Sequence, residues 1–143
     1  MTISQNNHIN NMKEACWACD SSNCVTKTGC AAVKNGKIIL RAWNVILDED
    51  ISKVGTDLPE RDYSVHAEAN LVAKAEKEEV PLDGVVLYSV RYPCLDCARL
   101  IYQAGIKEIY YMFDMYTLGN VAEGFFREVG IPVWQISESE VWG

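Results

Sequence analysis

Residues 65–70 (VHAEAN) and residues 92–97 (YPCLDC) are the two stretches around which this chain must fold. The first supplies an imidazole from His66, and the second supplies two thiols from Cys94 and Cys97. Three protein ligands of these types, with a fourth position left open, are typical of a catalytic zinc site rather than a structural one. We therefore predict that the two stretches meet at one zinc ion held by His66, Cys94 and Cys97.

Glu68 stands two residues after His66 and is not needed as a ligand. A carboxylate beside a zinc-bound water can act as a general base, so Glu68 is the predicted catalytic residue. The spacing matches the H-x-E…P-C-x-x-C signature of zinc deaminases that act on nucleobases. Each half is weak alone, because C-x-x-C also occurs in redox pairs and zinc fingers. The alternative interpretation is that His66 packs at a helix start and the two thiols are buried packing groups.

Composition limits the classes of protein to which the chain can belong. Its 143 residues are 49% hydrophobic and 23% charged, which is ordinary for one globular domain. There is no apolar run of membrane-spanning length and no hydrophobic signal segment at the N-terminus, so we expect a soluble, cytoplasmic protein. The formal net charge of −7 argues against nucleic acid as a partner, because such binding depends on Lys and Arg neutralising phosphates. A small substrate that carries one phosphate is compatible with this charge.

Hydrophobic periodicity and turn residues predict the element order α-β-β-α-β-α-β-α-β. Residues 1–10 are expected to be flexible, and residues 11–143 are expected to form a single domain. The Asn35-Gly36 pair is a strong hairpin signal, so the first two strands should be antiparallel neighbours. Alternation of helices and strands after this hairpin indicates an α/β fold, a three-layer α-β-α sandwich with a mixed five-stranded sheet. The predicted elements are helices at 11–24, 66–79, 93–104 and 120–129, and strands at 29–33, 37–43, 85–90, 107–112 and 131–136.

Residues 44–64 form a long, acidic connection directly before the helix that starts at His66. Irregular segments of this length are usually functional or mobile. A segment that covers the substrate and a plain solvated loop are both compatible with this sequence.

The predicted ligands all lie at helix starts. His66 opens one predicted helix, while Cys94 and Cys97 share the first turn of another, where residues three apart lie on one face. The partial positive charge of a helix N-terminus favours thiolate over thiol, which is the form that binds zinc.

Residues 66–112 resemble the cytidine and deoxycytidylate deaminase family. The HAEAN stretch is similar to the family's H-A-E-x-N, and YPCLDCARLI followed by QAGIK is similar to F-P-C-x-x-C-A-K-x-I…Q-A-G-I-K. An aromatic residue before Pro-Cys, Tyr92, differs from the Glu that is usual in tRNA adenosine and guanine deaminases, and Asn70 also fits the deoxycytidylate branch. The resemblance implies the cytidine deaminase type of fold and a single catalytic Zn²⁺.

The same resemblance implies hydrolytic deamination of a cytosine nucleotide, with dCMP to dUMP plus ammonia as the favoured reaction. The alternatives are the same chemistry on a free nucleoside, base or modified nucleotide, and a non-catalytic zinc-binding domain on the same fold. A spare carboxylate at Glu68 argues against the non-catalytic alternative. A nucleic-acid editor is disfavoured by the acidic balance of the chain.

The substrate-binding candidates are less well defined than the zinc ligands. Trp43-Asn44 falls where the family has G-Y-N-G, so the resemblance makes Asn44 a candidate for contacting the sugar or base, with Trp43 beside it. The flanking glycines are absent here, which makes recognition of a monophosphate by this loop uncertain, and Asn44 could be a simple strand-end residue. Ala67, within H-A-E, and Tyr116, which could stack on a base or sugar, complete the set.

The other four cysteines, Cys16, Cys19, Cys24 and Cys30, could hold a second, structural metal ion or could be buried thiols. Buried free cysteine is common in folded proteins, so the second interpretation is favoured. The family resemblance also implies a homo-oligomer, with residues 110–113 and Trp142 as candidate interface residues.

Overall fold

The computed structural model describes residues 3–55, 58–115 and 121–143. Its helices are α1 (Ile3–Ala18), α2 (Glu60–Tyr63), α3 (Ala67–Lys77), α4 (Leu95–Gln103), α5 (Val121–Val129) and α6 (Glu138–Trp142), with 3-10 turns at Cys19–Ser21 and Asp48–Lys53. Its strands are β1 (Gly29–Lys34), β2 (Lys37–Trp43), β3 (Val45–Ile46), β4 (Ser64–Val65), β5 (Val86–Arg91), β6 (Glu108–Phe113) and β7 (Val133–Gln135).

Five of these strands form one mixed sheet in the order β2-β1-β5-β6-β7. β1 runs antiparallel to both β2 and β5, whereas β5, β6 and β7 pair in parallel. The turn between β1 and β2 has positive φ at Asn35 (52°) and Gly36 (77°), as a two-residue hairpin of the predicted type requires. The mixed sheet and its antiparallel first pair therefore confirm the predicted fold class.

Helices cover both faces of the sheet. On one face α3, α4 and α5 bury an apolar cluster that includes Leu71, Ile101 and Phe126. On the other face α1 and α6 bury a second cluster that includes Met12 and Val141. This is the three-layer arrangement that the alternation of helices and strands predicts.

The N-terminal prediction is wrong, because the first helix starts at Ile3 rather than at residue 11. Residues 3–10, predicted to be flexible, belong to this helix. His8 hydrogen-bonds through Nδ1 to the Tyr88 hydroxyl, and its ring stacks on Tyr110 with centroids 4.3 Å apart. Ile9 packs against the same apolar cluster. The segment is thus ordered by contacts with the sheet, which its polar local sequence does not reveal.

The C-terminal region also differs from the prediction. Helix α6 is missing from the predicted order, although Ser137 and Glu140 form a capping box at its start. β6 is an interior strand whose Met112 is buried and whose Tyr110 stacks on Tyr88. Met112 thus belongs to the core and Tyr110 is partly buried against it, whereas Trp142 is half exposed.

The long connection at 44–64 is more structured than predicted. Its β3 and β4 pair in an antiparallel two-stranded sheet, and α2 lies between the 3-10 turn and β4. The same segment leads directly into His66, the residue before α3. Within the described ranges no helix combines the length and apolar character needed to cross a bilayer.

Candidate metal centre and adjoining cavity

The three predicted zinc ligands lie together. His66 is the N-cap of α3, Cys94 is the N-cap of α4, and Cys97 is in the first turn of α4. The Nδ1 atom of His66 lies 3.4 Å from the Cys94 Sγ and 3.5 Å from the Cys97 Sγ. All three ligand atoms lie within 4.8 Å of one another, and they form the single candidate metal group in the described part of the chain.

These separations fit zinc. Zn–N bonds of about 2.0–2.1 Å and Zn–S bonds of about 2.3 Å in a tetrahedron require N···S separations of about 3.6 Å. The observed separations of 3.4 and 3.5 Å are close to this value. One nitrogen and two sulfur donors also suit a borderline-soft ion such as Zn²⁺.

The environment of the thiols favours ionisation of one of them. A hydrogen bond from Cys97, followed by one with His66, lowers the pKa of Cys94 to about 4. The pKa of Cys97 is raised, first because it donates to Cys94 and then because it is buried. Both thiols also stand at the N-terminus of α4, where negative charge is stabilised.

Glu68 lies in the first turn of α3 and is 95% buried, with a relative exposure of 5%. The Ser89 hydroxyl donates a hydrogen bond to its Oε1 at 2.6 Å. Burial raises the pKa of Glu68, while the hydrogen bond from Ser89 acts in the opposite direction. The carboxylate is therefore held in a dry position beside the three metal-ligand candidates and is not one of them.

Ser89 is a site residue that the sequence reasoning missed. It lies in the middle of β5 with no exposed surface. The available signal was a single hydroxyl in an otherwise apolar strand, since a buried polar side chain nearly always has a hydrogen-bond partner. No local sequence pattern identifies Glu68 as the hydrogen-bond partner of Ser89.

A cavity of about 490 Å³ opens beside the metal-ligand candidates. His66, Cys94 and Glu68 line its inner part, and Arg91 and Tyr92 line it from the end of β5. Its volume lies within the range that holds small-molecule ligands. Four residues of the 44–64 connection, Asn44, Pro59, Glu60 and Ser64, also line the cavity.

Asn44 lines this cavity, but much of its amide is already used within the protein. Its Oδ1 accepts hydrogen bonds from the Ser22 hydroxyl at 2.7 Å and from the Thr28 N–H at 3.0 Å. Its Nδ2 donates to the Thr26 carbonyl at 2.8 Å. At most one N–H of Asn44 therefore remains for a ligand, and the residue also fixes the chain before β1.

The other substrate-binding candidates have different positions. The Trp43 ring faces the Lys74 ammonium, 5.3 Å from the ring centroid, and Trp43 does not line the cavity. Ala67 is the first residue of α3, and its fully buried side chain packs in the core. Tyr116 lies outside the described residues.

The four remaining cysteines are not assembled into a second metal site. Among the described residues, no group of three or more potential ligands includes any of them. Cys16 contacts the Met112 sulfur, while Cys30 contacts the Ala67 carbonyl. Burial raises the pKa of each thiol, that of Cys19 to about 11. These cysteines behave as packing groups, in line with the favoured interpretation.

Comparison with known proteins places this geometry in context. A family model described as the cytidine and deoxycytidylate deaminase zinc-binding region matches residues 5–113. ComE operon protein 2 of Bacillus subtilis is 38% identical over 78 residues, which cover 54% of this chain and 41% of that protein. Human deoxycytidylate deaminase is 40% identical over 65 residues, which cover 46% of this chain and 34% of that protein. The chain thus spans less than half the length of these relatives.

Solved structures extend the match to nearly the whole chain. The dCMP deaminase of cyanophage S-TIM5 in its apo form superposes with a TM-score of 0.76 at 28% identity, covering 95% of this chain and 100% of that one. The same phage enzyme in complex with dCMP and dUMP also gives a TM-score of 0.76, at 27% identity, covering 95% of this chain and 99% of that one.

Proposed function

Because the chain belongs to the cytidine and deoxycytidylate deaminase family, we propose that it is a zinc-dependent hydrolase that deaminates a cytosine nucleotide. The proposed reaction converts dCMP and water to dUMP and ammonia. The observation that carries this proposal is the grouping of His66, Cys94 and Cys97 beside a cavity that His66, Cys94 and Glu68 line.

In this proposal His66, Cys94 and Cys97 hold the zinc ion. Zinc bound by such ligands lowers the pKa of a bound water to about 7. Glu68 accepts one proton from the water as its oxygen bonds to the ring carbon that carries the amine, and it passes this proton to the ring nitrogen. It then accepts the second proton from the new hydroxyl group and delivers it to the amine, so that the C–N bond breaks, ammonia leaves and the ring carbonyl forms. Because Glu68 is not a metal ligand in this proposal, its carboxylate oxygens are available for proton transfer.

Ser89 positions the carboxylate for that role. Its hydroxyl donates to Oε1 of Glu68 at 2.6 Å, which holds that oxygen in place. The Glu68 side chain is also buried, and burial strengthens electrostatic interactions at the carboxylate.

Two observations support a nucleotide rather than a free base. The named relatives include the human deoxycytidylate deaminase, and the phage structure was solved with dCMP and dUMP. The cavity is also large enough for a base with its sugar. The altered loop at residues 42–45 keeps a free nucleoside as the second candidate substrate.

The test is release of ammonia by the zinc-loaded protein from dCMP, CMP, deoxycytidine, cytidine and cytosine. We expect turnover of dCMP, and we expect Glu68→Gln to retain a full equivalent of zinc by elemental analysis while turnover is abolished. Turnover confined to unphosphorylated compounds would refute the nucleotide assignment. Turnover by Glu68→Gln at the wild-type rate would remove Glu68 from the mechanism.

We also propose that the protein is a homo-oligomer, as the family resemblance implies. Trp17 and Trp142 are each about half exposed and meet edge to face, with centroids 6.3 Å apart. Light scattering after size exclusion would give the mass directly, and a purely monomeric species at micromolar concentration would contradict this proposal.

A further inference from the structure

Among the described residues, two buried polar side-chain atoms of the cavity lining have no hydrogen-bond partner. The Thr28 hydroxyl oxygen and the Arg91 Nε are shielded from solvent, and neither makes a hydrogen bond to any residue that the structure describes. More than nine in ten buried polar groups in folded proteins are hydrogen-bonded. Because the Thr28 hydroxyl and the Arg91 Nε lie in the same cavity lining, they indicate that a polar group of a ligand hydrogen-bonds to both.

Thr28 directly precedes β1, and Arg91 is the last residue of β5, the strand beside it. β1 and β5 are antiparallel, with Cys30 opposite Ser89, so continuing this register by two residues sets Thr28 opposite Arg91. Both residues line the cavity that contains Glu68 and His66. Asn44 hydrogen-bonds to both backbone groups of Thr28. Its Oδ1 accepts from the Thr28 N–H at 3.0 Å, and its own N–H donates to the Thr28 carbonyl at 3.2 Å.

The charges in the cavity leave Arg91 available to an anion. The two cavity carboxylates already accept hydrogen bonds, Glu60 from the Val25 N–H and Glu68 from Ser89. No ion pair joins Arg91 to a carboxylate whose side chain is described. A guanidinium offers a rigid fork of N–H donors that matches phosphate oxygens, and it is always charged.

We propose that Arg91 and Thr28 form the subsite that binds the 5′-phosphate of the substrate. This inference rests on the proposed function, since it assumes that a cytosine nucleotide occupies the cavity. It also accounts for a peculiarity of the sequence: the loop at residues 42–45 lacks flanking glycines, and the phosphate contact comes instead from the start of β1 and the end of β5.

The first experiment measures binding of the products, which are not turned over. Titration calorimetry of the zinc-loaded protein with dUMP and with deoxyuridine separates the contribution of the phosphate to the affinity from that of the base and sugar. We expect Arg91→Gln to weaken dUMP roughly tenfold or more, because charge-assisted hydrogen bonds to phosphate are lost. Deoxyuridine affinity should stay within about twofold, which is a change of under 0.5 kcal/mol at tenfold per 1.4 kcal/mol.

Matched variants separate recognition from folding. Thr28→Val keeps the shape but removes the hydroxyl, and it should weaken dUMP by a smaller factor than Arg91→Gln. Arg41→Gln is the control, because Arg41 pairs with Glu14 on an exposed surface away from the cavity. Binding data are interpreted only for variants that have the wild-type zinc content and an unchanged melting temperature. If Arg91→Gln does not fold, Arg91→Lys, which keeps the charge, is used in its place.

The outcomes distinguish this subsite from the proposed reaction. If Arg91→Gln weakens dUMP and deoxyuridine binding equally, Arg91 contacts the base or sugar and not the phosphate. If the affinity for dUMP is unchanged in Arg91→Gln, Arg91 does not contact the ligand. Either result overturns the subsite. Selective loss of dUMP binding in a protein without any deaminase activity would support the subsite and reject the proposed function.

Discussion

At the scale of single residues, the hydrogen bond between Ser89 and Glu68 is the contact with the clearest chemical meaning. Both groups are buried, and Oε1 accepts from the hydroxyl at 2.6 Å. Removal of one partner from a buried pair leaves the other unsatisfied, which costs about 1–3 kcal/mol. A carboxylate without its fixed donor also loses its orientation toward the substrate.

We predict that Ser89→Ala lowers kcat by about tenfold or more with a much smaller change in KM, because proton transfer depends on where the Glu68 carboxylate points. Ser89→Thr, which restores a hydroxyl at the same position, should recover most of the lost kcat. Steady-state kinetics on zinc-replete proteins measures both effects. The control is Ser137→Ala, which removes an exposed hydroxyl at the cap of α6. Equal activity of Ser89→Ala and wild type would exclude a positioning role.

At the scale of secondary structure elements, the start of β1 is bound closely to α1. A Cβ placed on Gly29 would lie 2.4 Å from the Ala15 carbonyl oxygen and 2.9 Å from the Cys19 nitrogen. Both are backbone atoms, so the helix would have to move as a body to admit a methyl group. Glycine at position 29 therefore lets the helix approach the start of β1, the residue directly after Thr28.

We predict that Gly29→Ala destabilises the protein by about 3 kcal/mol, the upper end of the usual cost of overpacking. Gly124→Ala is the matched control, since a Cβ there meets nothing within 4 Å and alanine is about 1 kcal/mol better than glycine inside a helix. Urea denaturation of the two variants should give midpoint shifts of opposite sign. A neutral Gly29→Ala would mean that α1 can move away from β1.

Elements could be predicted from the sequence where a local signal exists. The strands of the central sheet have long apolar runs, and Asn35-Gly36 specifies its turn by backbone chemistry, so their bounds are correct to within a few residues. The start of α1 could not be predicted in this way, because residues 3–10 are mostly polar and are ordered by contacts of His8 and Ile9 with the sheet. Short elements such as α2 and α6 offer too few residues for periodicity.

At the scale of the whole molecule, the metal centre joins parts of the chain that are otherwise separate. His66 precedes α3, and Cys94 and Cys97 stand at the start of α4, with β5 between them in sequence. The residue types and spacing were sufficient to predict this meeting. The cavity wall was not predictable, because Thr28 and Arg91 are far apart in the sequence and come to the same cavity only through the pairing of β1 with β5.

We predict that removal of zinc lowers the melting temperature, since an ion that binds only the folded state stabilises that state. At a free zinc concentration 100-fold above Kd the gain is about 2.7 kcal/mol, which corresponds to roughly 5–10 °C for a domain of this size. Scanning calorimetry with and without a chelator measures this shift. Cys94→Ser should abolish the dependence on zinc, and a wild-type protein indifferent to the chelator would refute the metal centre.

The three internal hydrogen bonds of the Asn44 amide have a kinetic consequence. They connect Ser22, Thr26 and Thr28 to the end of β2. A segment that internal hydrogen bonds hold in place loses little conformational entropy when a small molecule enters. Association should then proceed at a rate set by diffusion into the cavity, with no slow step for closing this segment, and loss of the amide would appear first as a slower and more temperature-dependent association rate.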